Sequence, residues 1–344
     1  MTLHRLPIGV LLGACLLLAA PSMVSAQTNT SDVLYVLNPA SGYEDGCWDP
    51  CLCPVHLTDG LAGTFRMRPA PPEPGFDVYA IDQVNWFLPQ FDQRITGSGT
   101  YRIGGEFARM HQLVLDLVQD GRPLQHFDSG LILGGADFPA ITISVSMNNY
   151  VCHDTAFHLA AAPVVPKLVP YGLFGSEYLE GCFGPCDCLV VSKPLHGRFG
   201  LMKLRSSNGG VEGPSVDYAV LDVRWMVRSA STSPANDSYP VTGYGIYRTR
   251  PGGGVITVMP SHRMTLFLSE NGRPPVRFDS GIVPGGEHGP GGGPPKRIDI
   301  DLAADGFACT DRVYSLNARR SNAATMDFGV IDSDPAPIPV TPVP

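Results

Sequence analysis

Chemistry in this chain of 344 residues has to come from a few side chains: two cysteine clusters, two Asp-Ser-Gly triplets, and the histidines and carboxylates near them. Cys47, Cys51 and Cys53 stand together with Cys152 far downstream; Cys182, Cys186 and Cys188 repeat the cluster, with Cys309 as its distant member. Four thiolates of this kind suit zinc or copper(I) in a tetrahedral set, but structural zinc normally takes closely spaced knuckles, which a lone distant cysteine does not supply. An even number of cysteines in an exported chain reads as disulfides. A bridge across Cys51-x-Cys53 closes a strained small ring. Cys152 therefore takes Cys51 or Cys53, Cys47 takes the other, and Cys309 follows the same logic. Each long bridge closes a loop of about 100 residues and contributes about 4–5 kcal/mol in the chain-entropy account.

Asp128 and Asp279 head equivalent Phe-Asp-Ser-Gly segments. Their Asp-Ser-Gly triplets resemble the signature of pepsin-type aspartic peptidases, two-lobed exported enzymes in which one carboxylate per lobe shares a proton. That resemblance implies a hydrolase with Asp128 and Asp279 as its dyad, the alternative reading of this chain. It covers three residues per copy and departs around them. His126-Phe127 and Arg277-Phe278 replace the usual apolar pair, Leu131 and Ile282 replace a small residue, and the triplet comes late in each copy. The plain expectation is a strand ending in an exposed Asp-Ser-Gly turn.

Other candidates are weaker. His111 and His262 share parity with the leucines that follow, as buried structural imidazoles would. His111, Asp128 and Ser129 supply triad residue types, but no Gly-x-Ser-x-Gly elbow exposes a serine. His153, Asp154 and His158 suggest a metal, yet the second copy has Thr310, Asp311 and Ser315. Asp299, Asp301 and Asp305 suggest calcium, but alternate along a strand as a solvent face does. The glycine run through Gly285-Gly286 and Gly291-Gly292-Gly293 lacks the lysine and helix of a phosphate loop. Tyr43, Tyr178, Trp86 and Trp225 occupy matched positions and could stack on sugar rings; the tryptophans, flanked by valines and leucines, fit a packed core better. No cofactor is expected.

The elements that must position these residues come from a duplication. Ser41–Cys53 returns as Ser176–Cys188, Val84-x-Trp86 as Val223-x-Trp225, and Thr96-Gly-x-Gly-x-Tyr-Arg102 as Thr242-Gly-x-Gly-x-Tyr-Arg248. Asp120-Gly121-Arg122-Pro123 returns as Asn271-Gly272-Arg273-Pro274, and Cys152-x-Asp154 as Cys309-x-Asp311. The order is never broken, so residues 27–162 and 171–320 are read as two copies of one β-domain, joined by a linker over 163–170 and followed by a Pro-rich tail over 321–344. Leu113, Leu115 and Leu117 alternate with polar or outward residues, as do Met264, Leu266 and Leu268: strands with one buried face. Asp120-Gly121 and Asn271-Gly272 mark hairpins. A type I turn with a G1 bulge there turns Phe127 to the apolar face and sends Asp128 outward. The expected fold is all-β: two tandem, duplicated, disulfide-stapled β-sandwich domains, or small barrels.

Residues 1–26 read as a signal peptide: Arg5, an apolar run over Val10 to Ala20, and Val24-Ser25-Ala26 as the cleavage site. Leu12-Gly13-Ala14-Cys15 looks like a lipobox, but a cut there truncates the apolar run. Loss of Arg5 moves the net charge from −8 to −9, ill-suited to nucleic acid or anionic lipid. No later stretch has the ~20 apolar residues of a membrane-spanning helix. With 39 Gly and 33 Pro and only 16% charged residues, bundles, coiled coils and acidic disordered chains are also poor readings. The expectation is a secreted or periplasmic, non-catalytic protein serving binding, adhesion or an envelope or matrix role, with an extracellular glycan or protein as partner.

Overall fold

A computed structural model describes residues 32–184, 186, 188–207, 213–229, 238–252, 259–286 and 293–321. The expected leader, the tail beyond Ser321 and most of the second copy's glycine insertions lie outside them. Among these described residues all regular structure is strand.

The first sheet holds β1 (Val33–Leu37), β2 (Gly42–Cys47), β3 (Leu57–Gly60), β4 (Ala62–Glu73), β5 (Phe76–Leu88), β6 (Gln93–Gly104), β7 (Met110–Gln119), β8 (Leu124–Asp128), β9 (Ile132–Leu133), β10 (Ile141–Ser146) and β11 (His153–Pro163). The second holds β12 (Val169–Leu173), β13 (Ser176–Gly181), β14 (Val191–Ser207), β15 (Ser215–Val227), β16 (Tyr239–Arg250), β17 (Ser261–Glu270), β18 (Val276–Asp279), β19 (Val283–Pro284), β20 (Arg297–Ala303) and β21 (Asp311–Arg320).

Pairing is antiparallel throughout, and in each sheet it returns to its start. The path runs β1–β4–β5–β6–β7–β8–β10–β11, and β11 pairs again with β1 and β2. In the second sheet β14 to β18, β20 and β21 follow the same course, closed by β12 and β13. Of the two architectures expected, the closed pairing selects the barrel. Each ring has one thin seam. β8 meets β10 only at Asp128↔Ser146, and β18 meets β20 only at Asp279↔Ala303.

Local chemistry explains the shape. Gly97 and Gly99 lie where β6 crosses β7 so closely that an added Cβ would sit 2.1 Å from Asp116 O and 2.0 Å from Val114 O. Only glycine fits there, which accounts for the Thr-Gly-x-Gly motif. At the next hairpin Gly121 has φ 75°, Arg122 N donates to Gln119 O, and Phe127 pairs with Leu115 while Asp128 pairs with Val114. Phe127 is buried and Asp128 half-buried, the bulged register anticipated from the turn residues.

Each barrel fills its own interior, one around Trp86, Phe65 and Phe157, the other around Trp225, Phe199 and Tyr314. The barrels also share outer faces. Leu34 joins Met202, Ala219 and Leu221 in one apolar cluster; Ala62 and Phe87 join Ile246 in another. Beside these, Asn85 Nδ2 donates to Gly245 O at 2.9 Å. Asp92 accepts from Arg248 and Arg263 of the second barrel. Next to that junction Arg94 is buried over the Phe87 ring, and burial lowers its guanidinium to about 10.

Candidate ligand groove between the barrels

The cysteines pair as Cys47–Cys53 and Cys51–Cys152, and as Cys182–Cys188 and Cys186–Cys309. This selects one of the two connectivities the spacing left open, the same one in both halves. The long bridges fasten the β2–β3 and β13–β14 connections to the start of the last strands.

The Asp-Ser-Gly triplets are strand-ending turns. Ser129 Oγ accepts from Leu113 N and donates to Gly130 O, while Gly130 N donates to Asp128 Oδ1. Ser280, Gly281 and Asp279 make the same bonds with Met264 N. Asp128 otherwise accepts from Gln112 Nε2, and Asp279 from Arg263, Arg277 and Thr265. Burial pushes the Asp279 carboxyl up, but its bonds with Arg263, Gly281 N–H and Arg277 outweigh that and hold it well below the usual carboxylate range. A shared-proton dyad needs an oxygen of one carboxylate on an oxygen of the other. Here each carboxylate closes the seam of its own barrel, and Asp279 has its oxygens taken by cations. Asp128 and Asp279 thus each hold a strand-ending turn.

His111 and His262 are buried, each with Nδ1 at 3.0 Å from a tyrosine hydroxyl, Tyr101 and Tyr247 respectively. Burial lowers the His111 imidazole, favouring its neutral form. Asp154 is not aimed at a metal. Its Oδ1 accepts from Met147, Asn148 and Thr155 N–H and its Oδ2 from Tyr150 N–H, while His153 leans on Asp45 and His158 on Glu44. Asp311 cages the β20–β21 turn identically, through Ala304, Asp305, Arg312 and Phe307 N–H. Asp299 and Asp301 face outward, alternating with buried Ile298 and Ile300. Among the described residues no group of three or more His, Cys, Asp or Glu is placed to hold a metal ion.

The four nominated aromatics are core. Tyr43 and Tyr178 are 2% exposed, Trp86 1% and Trp225 3%, leaving no ring face for a sugar. Their parity turns them inward, so the stacking role assigned to them is corrected.

What the structure does open is a cavity of about 480 Å³ where the barrels meet, lined by residues of both. Equivalent bulges build it. In β5 the register slips between Ile81 and Val84, and in β15 between Val220 and Val223. The slips leave Gln83 at φ 49° and Asp222 at φ 54°, backbone settings unusual for residues with a Cβ. Each bulge residue holds an arginine: Arg66 Nε donates to Gln83 Oε1 at 3.0 Å, and Arg224 Nε to Asp222 Oδ1 at 2.8 Å. Both arginines line the cavity.

Between these pairs lies an apolar floor. Tyr244 and Phe267 are directly opposed on β16 and β17, with ring centroids 5.9 Å apart and planes within 29°. Both are half-buried and line the cavity, so this stacked pair forms a part-exposed aromatic platform and not a sealed core. Burial, with Asp82 nearby, lifts the Tyr244 hydroxyl to about 12, so it stays a neutral donor at physiological pH. Thr242 and Ser269 continue the rim. Register puts Ser98 and Asp116 of the first barrel at the corresponding pair, so the platform belongs to the second copy alone. The sequence signal was that substitution inside an otherwise repeated Thr-Gly-x-Gly motif.

A scan against protein-family models matched none, and searches of curated proteins and of solved structures found no similar chain or fold. Among the described residues no helix is long and apolar enough to cross a membrane, and the four disulfides fit an extracellular protein.

Proposed function

We propose that this chain is an exported, non-catalytic binding protein made of two duplicated, disulfide-stapled β-barrels. Export rests on the leader-like residues 1–26, with cleavage before Gln27, and on the bridges of the mature chain. Binding rather than catalysis rests chiefly on one observation. Asp128, Asp279, Asp154, Asp311, His111 and His262 are all tied into turns, cages and core contacts that recur in both barrels. Groups spent twice over on holding the chain are not poised for reaction. The inter-barrel groove, in contrast, brings the half-buried Tyr244 and Phe267 together with a polar rim that includes Arg66, Gln83, Asp222 and Arg224.

The test uses the mature secreted chain, its N-terminus checked by sequencing, immobilised and challenged with purified extracellular polysaccharides and envelope fractions. Retention of a polymer without product release is the expected result. Products whose release disappears in Asp279→Asn would overturn the reading in favour of a hydrolase.

A further inference from the structure

Resting on that reading, we infer that the groove between the barrels binds an uncharged oligosaccharide, its sugar rings lying on Tyr244 and Phe267 and its hydroxyls bonded to the Arg66–Gln83 and Arg224–Asp222 pairs.

Four features carry this. The first is the platform itself. Half-buried aromatics on an outward strand face cost free energy when wetted, and the C–H face of a pyranose covers them while leaving its hydroxyls at the edges. The second is the chemistry of the rim. A sugar hydroxyl both donates and accepts, and vicinal hydroxyls want a donor and an acceptor side by side. Arg66–Gln83 and Arg224–Asp222 each offer that combination in planar groups already oriented by an Nε bond at 3.0 and 2.8 Å. The third is charge. Arg66 and Arg224 are balanced by Asp222 and Asp32 on the same lining, so nothing selects an acidic ligand. The fourth is size. About 480 Å³ falls within the ~300–1,000 Å³ of small-ligand sites, and the cavity is partly open to solvent. The two bulges add a reason for this location. Each holds a residue at positive φ, and the barrels face one another so that both deliver side chains to one groove.

The decisive experiment titrates the mature protein with cellohexaose, mannohexaose and chitohexaose, and with an oligogalacturonate as the acidic counterpart, by calorimetry and saturation-transfer NMR. At least one neutral hexasaccharide binds, its ring protons receive saturation from aromatic protons, and the affinity is unchanged between low salt and 0.5 M salt. Tyr244→Ser with Phe267→Asp, the first barrel's residues at these positions, weakens binding about tenfold or more while keeping a cooperative thermal transition. Arg224→Ala, an exposed side chain off the core, weakens it severalfold and guards against a platform variant that fails to fold. Preference for the oligogalacturonate overturns the inference, as does neutral-sugar binding that neither variant alters. If the wild-type chain retains a polymer that the folded platform variant retains equally, the groove assignment falls and the binding reading stands. If the wild-type chain binds neither polymers nor oligosaccharides, both fall.

Discussion

Asp128 and Asp279 do the same backbone work in different company. Both cap the Asp-Ser-Gly turn and make the single pair that closes a barrel, yet Asp128 leans on neutral Gln112 and Asp279 on Arg263, Arg277 and Thr265. One step along β6 and β16 the contrast grows. Ser98 and Asp116 of the first barrel are solvent-side residues where the second has Tyr244 and Phe267. What recurs holds the chain; what differs lies on the faces between the barrels. Asp279's cations belong to that second class, because Arg263 also reaches Asp92 and Arg277 reaches Asp120 across the junction. Sameness between the halves thus marks scaffold, and divergence marks contact.

The largest effects should come from what recurs, and should be matched. Replacing Cys51 and Cys152 by Ala removes a bridge of sequence separation 101, and Cys186 and Cys309 one of 123. Each pair should cost about 4–5 kcal/mol, against about 2 for Cys47–Cys53 or Cys182–Cys188. Chemical denaturation of the four double variants checks this. Short bridges costing as much as long ones would break the claim that loop closure is what they supply. Next come the cages. Asp154→Ala and Asp311→Ala each remove the side-chain acceptor of four backbone N–H groups, of which Met147 and Ala304 keep a backbone carbonyl, and should cost about 3 kcal/mol. Unequal losses would show that the two turns are not equivalent in energy despite identical bonding.

Much of the scaffold was legible in the sequence because it rests on local chemistry. Period two in Leu113, Leu115 and Leu117 set the inner face, Gly121 set the hairpin bulge, and cysteine spacing left only two connectivities. The Asp154 cage was missed although Cys-x-Asp stood in both copies, because a carboxylate among histidines reads as a ligand until its backbone partners are seen. The groove was missed for another reason. It gathers residues from strands more than 150 positions apart, and an aromatic in a strand looks like core unless its facing element is known. Trp86 and Tyr244 differ by parity and by which barrel stands opposite, and only the second needs the fold.

Divergent contacts should give smaller, unequal effects. Asp279→Asn should cost about 2 kcal/mol and Asp128→Asn about 1, because only the former removes charge from bonds to two arginines. The arginines beside Asp279 also give a pH dependence. Asp279's folded carboxyl is depressed, so its contribution is fully present above the unfolded value near 3.9 and is lost as pH falls towards the folded one. Thermal melts from pH 6 down to pH 2 should therefore lose more stability in the wild type than in Asp279→Asn. A wild-type-like acid slope in Asp279→Asn would place the acid sensitivity elsewhere.

The smallest effect concerns His111, whose folded imidazole is lowered by burial while its Nδ1 meets the Tyr101 hydroxyl at 3.0 Å. A depressed histidine binds fewer protons folded than unfolded, so its contribution is complete above the unfolded value near 6.5 and shrinks as pH falls through that value towards the folded one. Urea midpoints should drop between pH 7.5 and pH 5.5 by an amount worth less than about 1 kcal/mol, and His111→Asn should flatten that slope. Gly134 lies against the imidazole, where an added Cβ would fall 2.4 Å from Nε2, so this end of the ring is covered only because position 134 carries no side chain. An unchanged slope in His111→Asn would mean that the imidazole is hydrated by water entering the β7–β9 edge, and that this end of the first barrel is looser than its hydrogen bonds imply.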